Sequence, residues 1–166
     1  MKRLLFVCLF VPLAAMLFAA GHPNLEAAQK LINRALEKVT AAQIANNDEL
    51  GGDAVKAKEA LADAKDEIQL AIKAADRATD ADKLFGAIEA LFGGGDTDTS
   101  PAMDVLRKKH PNLAEAQDLI FQAHAKIREA QKANEFDVKG HAKKAIDDLA
   151  NAADWIKKAA EYANAH

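Results

Sequence analysis

Five histidines are the residues of this 166-residue chain best suited to chemistry: His22, His110, His124, His141 and His166. Imidazole is the commonest protein ligand of zinc, copper and nickel, so the set raises weak transition-metal binding as one reading. Their spacing opposes a built site. No pair stands at i, i+4 as in a helical zinc site, and the Glu-x-x-His pattern of di-iron bundles is absent from the sequence. In an antiparallel hairpin His110 starts one helix near His166 at the end of the next, His141 starts that second helix at the opposite end, and His124 stands alone in mid-helix. The metal candidates are therefore His110, His141 and His166; the competing and favoured reading makes them capping or surface residues, with no cofactor expected.

The string Asp96-Thr97-Asp98-Thr99-Ser100 imitates the first half of a calcium loop. The second half fails, because the glycine required at position six is Pro101 and the bidentate glutamate at position twelve is Arg107. A flexible acidic linker is the better description. For covalent catalysis there is no nucleophile with a base at workable spacing, no serine elbow and no glycine-rich phosphate loop following a strand. An enzyme is not expected.

Two apolar features offer binding instead. Lys83 to Phe92 carries Leu84, Ile88 and Leu91 on one stripe with Phe85 and Phe92 beside it, ahead of three glycines. Such a segment either inserts at a membrane surface or extends a helix and packs on the bundle or a partner; its single base, Lys83, argues for the second. Trp155 and Tyr162 lie one heptad apart and flank the seam near Leu119, which makes an aromatic strip. That strip is either where two hairpins pack together or a docking edge for another protein. The candidate partner-binding residues are Leu119, Trp155, Tyr162, Phe85 and Phe92.

These residues must be positioned by helices, because the chain is built from a repeat. A shift of 88 places the segment from His22 over the segment from His110, with 25 of 55 aligned positions identical through Asp76 and no gap. Duplication explains this most simply. Apolar residues recur at three-four spacing: Leu25, Ala28, Ile32, Ala35, Val39 and Ala42, then Ala54, Ala57, Leu61, Ala64, Ile68 and Ala71. They are heptad a and d positions, and every d is alanine, so the pattern predicts a tight antiparallel hairpin in each copy. Asn24 and Asn112, each following a proline, are expected to cap the first helices, with Glu115 completing a capping box and Asp53 capping the second helix of copy one where copy two has His141. A hairpin alone leaves a face uncovered, so the expected fold is all-α, two tandem antiparallel helical hairpins packed as a four-helix bundle; an elongated pair of hairpins is the alternative.

The domain plan is a signal peptide over 1–20, hairpin repeat one over 21–78, a connecting segment with a Gly/Asp/Thr-rich linker over 79–109, and hairpin repeat two over 110–166. The signal peptide rests on Lys2 and Arg3, an apolar run of about 15 residues that is too short to span a bilayer, and the small residues Ala19, Ala20 and Gly21. Cleavage there implies a periplasmic or secreted location and removes Cys8, the only cysteine, along with disulfides and thiolate sites. It also takes the formal charge from −3 to −5 by removing two bases. Acidic and basic residues are interspersed, which excludes a nucleic-acid footprint. The expected partner is protein, including a second copy of the chain.

With both HPNL starts, the AQ and AN pairs and the GHAKKA turn in view, each copy resembles a repeat of exported bacterial helical-hairpin proteins of uncharacterised function. That resemblance implies a periplasmic location and carries no mechanism. A fainter likeness, confined to Gly140, His141, Ala142 and the alanine-rich helix after them, is to periplasmic small metal-binding proteins. Those are richer in histidine, and copy one has Asp53 where the histidine would stand, so no ligands carry over.

Overall fold

The computed structural model describes residues 21–47, 49–77, 100–133 and 140–166. The 1–20 leader, the 83–92 segment with Phe85 and Phe92, and the Asp96–Thr99 linker lie outside the described residues. Four helices occupy the rest: α1 Pro23–Ala45, α2 Asp53–Arg77, α3 Pro111–Lys132 and α4 His141–Ala165. None of them is long and apolar enough to cross a membrane.

The three-four pattern buries the predicted positions. Leu25, Ala28, Ile32, Ala35 and Val39 of α1 are solvent-free, as are Ala54, Ala57, Leu61, Ala64, Ile68 and Ala71 of α2 and their counterparts Ile120, Ala123, Ile127, Leu149, Ala152 and Ile156 in the second copy. These side chains form one continuous core. The chain is an all-α four-helix bundle.

Where the helices approach most closely differs from the sequence expectation. The extensive backbone packing runs between hairpins, α1 against α3 and α2 against α4, while the two helices inside each hairpin touch much less. A heptad pattern states that a face is buried without naming what covers it. Alanine at d lets two backbones come together, and that closeness is used between the copies. Side chains give the direction: Lys38, late in α1, meets Glu115, early in α3, at 2.9 Å, and Glu67, late in α2, meets Lys144, early in α4, at 2.6 Å. Both inter-hairpin pairs are thus antiparallel, and the hairpins are related by an approximate twofold axis across the bundle.

The helix starts also differ from expectation. Pro23 and Pro111 are the first helical residues and the caps are His22 and His110, neither with a side-chain capping bond. Proline at that position suits the helix because its missing N–H would have had no partner. Glu115 turns away from any capping box toward Lys38 of α1, and Asp53 sits inside the first turn of α2, paired with Lys56 at 3.2 Å. The turn between α1 and α2 is closed by Asn46, whose side-chain amide donates to the Ala42 carbonyl at 2.7 Å, and by Leu50, which plugs into the core.

The last stretch of the connection, 101–109, lies against α3 and α4. The Val105 N–H donates to Gln117 Oε1 at 3.0 Å, and Gln117 Nε2 donates to the Ala153 carbonyl at 3.2 Å, so an amide that is 1% exposed is satisfied on both sides. Asp104 pairs with Lys157 at 2.6 Å, and Arg107 pairs with Asp118. Hairpin two is therefore covered on a face that hairpin one leaves more open: Leu119 and His124 are buried while their counterparts Leu31 and Leu36 are partly exposed.

Because alanine sets the inter-hairpin distance, enlarging it should strain the bundle. Ala35→Leu or Ala123→Leu is expected to cost about 1–3 kcal/mol, read as a lowered urea midpoint at unchanged slope, whereas Ala62→Leu, at an exposed position, should leave the midpoint nearly unmoved.

Candidate functional site

The bundle has two ends, and its titratable side chains divide between them. At one end α1 and α4 start and α2 and α3 finish. His22 Nε2 lies 3.2 Å from Asp76 Oδ1, tying the start of α1 to the end of α2. Nine residues before Asp76 on α2, Glu67, buried to 9% exposure, receives two groups from the first turn of α4: Lys144 Nζ donates at 2.6 Å, and His141 Nδ1 lies 2.6 Å from the other carboxylate oxygen. The Lys144 hydrogen bond, then that of His141, holds the Glu67 carboxyl below its ordinary value against an opposing effect of burial. The same pairing raises Lys144. Asp148 moves the other way, pushed up by burial and by the nearby charge of Asp63.

At the other end α2 and α3 start and α1 and α4 finish. Tyr162 packs its ring on Gly51, and His166 stacks on Tyr162 with centroids 4.1 Å apart. Two turns earlier in α4 lies Trp155, and Lys56 and Lys158 place their ammonium groups over its ring at 4.3 and 3.8 Å from its centre. His110 lies between two shallow clefts of about 140 and 220 Å³, the first floored by Val105, Lys157 and Glu161, the second by Ala42, Asn46 and Leu113. Asp104 is held low by its hydrogen bond from Lys157, which is raised in turn.

The histidines singled out from the sequence are therefore not assembled. His110 and His166 share an end, and His141 sits a helix length away with Glu67. Among the described residues no group of three or more His, Cys, Asp and Glu is disposed to hold a metal ion.

Protein-family models, curated proteins and solved structures give no match to this chain.

The aromatic strip is only partly where the sequence placed it. Trp155 and Tyr162 are half-buried on the side of α4 that faces hairpin one, meeting Lys56 and Gly51. Leu119 is not on that strip, because it is 2% exposed and belongs to the core under the connecting segment. Sequence reasoning missed the exposed apolar side chains outside that strip: Ile44, Val55 and Leu70 on hairpin one, and Met103, Leu106 and Phe121 on the connecting segment and α3. Leu106 is 63% exposed, Met103 and Phe121 are about half exposed, and the Arg107–Asp118 pair fixes the connecting segment one helical turn from Phe121. Arg107, Lys108 and Lys109 follow Leu106 directly, which makes the flank of this surface basic.

Two predictions follow from the ends of the bundle. Glu67 is paired above the ordinary carboxylate range, and its contribution is lost as pH falls through its lowered value, while Asp148 is relieved of part of its charge penalty over the same descent. Glu67→Gln should cost about 1–2 kcal/mol at pH 7, and the gap between variant and parent should narrow as urea midpoints are measured toward pH 3. At the opposite end, a Cβ on Gly51 would lie 2.6 Å from Tyr162 Cδ2 at a backbone φ of +62°, whereas Gly52, at +78°, has open space. Gly51→Ala should therefore destabilise by at least about 1 kcal/mol more than Gly52→Ala in thermal unfolding, and Tyr162→Ala in the Gly51→Ala background should remove most of that difference.

Proposed function

We propose that the mature chain is a non-enzymatic, exported protein-binding module, and that it engages its partner through the surface made by Met103, Leu106 and Phe121. The observation that carries this reading is the exposure of those three apolar side chains, on a bundle whose core is otherwise closed by alanine packing. Apolar side chains gathered on one face of a soluble domain mark a contact surface more often than scattered ones do. Arg107, Lys108 and Lys109 on its flank favour a partner with an acidic border around an apolar anchor. Export is supported by the basic start, the apolar run and the small residues before Gly21, and by the resemblance to exported helical-hairpin repeat proteins.

The test joins location to surface. Cell fractionation with amino-terminal sequencing should find the chain outside the cytoplasm, beginning near Gly21. Leu106→Asp with Phe121→Asp should leave helicity and melting temperature close to the parent's, since both positions are exposed, while abolishing co-purification of the proteins that the parent retains from the exported fraction. The same retained proteins in the same amounts on the folded variant would reject this surface. Stoichiometric uptake of copper, nickel or zinc by the chelator-treated chain would favour a metal-binding role instead.

A further inference from the structure

The repeat and the packing together bring the same two surfaces into contact twice. Shifting by 88 turns Lys56 into Lys144 and Glu67 into Trp155. At one end of the bundle Glu67 of hairpin one meets Lys144 of hairpin two at 2.6 Å; at the other, with the roles of the copies exchanged, Trp155 of hairpin two meets Lys56 of hairpin one at 4.3 Å. The main helix contacts also run between hairpins. Each hairpin is thus a unit whose complementary surface is another hairpin.

We propose that this surface also pairs in trans: hairpin one of one chain takes hairpin two of a second copy, and reciprocally, giving a hairpin-exchanged dimer. Residues 78–100, a stretch of 23, separate α2 from the segment held on α3 and α4. The end of α2 and the start of α3 lie at opposite ends of a bundle about 35 Å long, less than the roughly 75 Å that many residues can span when extended. The connection therefore permits both arrangements. Tethering gives the cis pairing an effective concentration of about millimolar, so exchange appears at high protein concentration or when the cis contact is weakened.

Two departures from the repeat direct one-to-two pairing. Hairpin one on a second hairpin one would set Asp53, in place of His141, against buried Glu67, which places like charges together. Hairpin two on a second hairpin two would set Trp155, in place of Glu67, against Lys144 and His141, which leaves both without the carboxylate they bind. One-to-two pairing in both directions closes as a dimer.

Full-length chains carrying Glu67→Lys and chains carrying Lys144→Glu would be refolded separately and together at about 100 µM and compared by native mass spectrometry and circular dichroism. Each variant has like charges facing each other in cis, and only an exchanged dimer of one of each sets the two reversed charges against one another. The mixture should give one-to-one dimers at least about tenfold more abundant than dimers in either separate sample, and the double variant in one chain should return to monomer. A monomeric mixture, or dimers equally abundant in the separate samples, would overturn the proposal. If either variant fails to fold alone, wild-type chains with and without an affinity tag are compared at the same concentration: mixed dimers that form on refolding together and not on mixing already folded chains support exchange, and any other result overturns it.

Discussion

The rest of the structure depends on the alanine seam between the hairpins. With a methyl group at every d position the backbones of α1 and α3, and of α2 and α4, come close enough for the larger a residues to fill the space beside them, and dispersion contacts are gained along the whole helix length. The same closeness leaves little interior for a ligand. Most polar groups are carried at the two ends of the bundle or on its outer faces, with Gln117 and His124 as buried exceptions, and the two clefts beside His110 are shallow ones at an end. A rigid core of small and branched residues also holds the four helices together without a covalent staple among the described residues.

The seam joins two hairpins of similar sequence, and the differences between them fall at its edges. The first-turn lysine persists as Lys56 and Lys144, yet one neutralises a buried carboxylate and the other lies over an indole. The two contacts are not equal. Glu67 is nearly excluded from water, so losing its partners leaves a desolvated charge, whereas Trp155 is half-buried and keeps its apolar packing when an ammonium leaves. Symmetry therefore survives in the backbone while the energetics of the two ends differ.

Much of this was legible in the residues. The three-four spacing from Leu25 to Ala71 marks the core positions, and the repeat carries them to copy two. The pairing of helices was not legible, because a and d positions look alike whether the opposite helix belongs to the same hairpin or to the other. Cap positions were misread by one or two residues, because an asparagine after proline resembles a cap when the proline itself can begin the helix. The second buried face of hairpin two did leave a signal: Glu26, Lys58 and Lys65 become Ala114, Ile146 and Ala153, three polar positions turned apolar, and all three are buried. Reading that loss of polarity would have placed Leu119 in the core and pointed to the connecting segment as its cover.

That cover is the part of the molecule that owes nothing to the repeat. The two hairpins bury each other's seams, and the faces that remain carry interspersed charge together with exposed Ile44, Val55 and Leu70. The segment from Pro101 to Lys109 has no counterpart in copy one, yet it is held by a buried glutamine and two ion pairs. Holding an irregular segment in place costs conformational entropy, and the bonds made by Gln117, Asp104 and Arg107 offset that cost for a backbone that then leaves Met103 and Leu106 facing water. Burying those side chains inward would have stabilised the monomer further. A surface kept ordered while its apolar residues stay outside suits the proposed contact role, which would then rest on this segment rather than on the bundle that carries it.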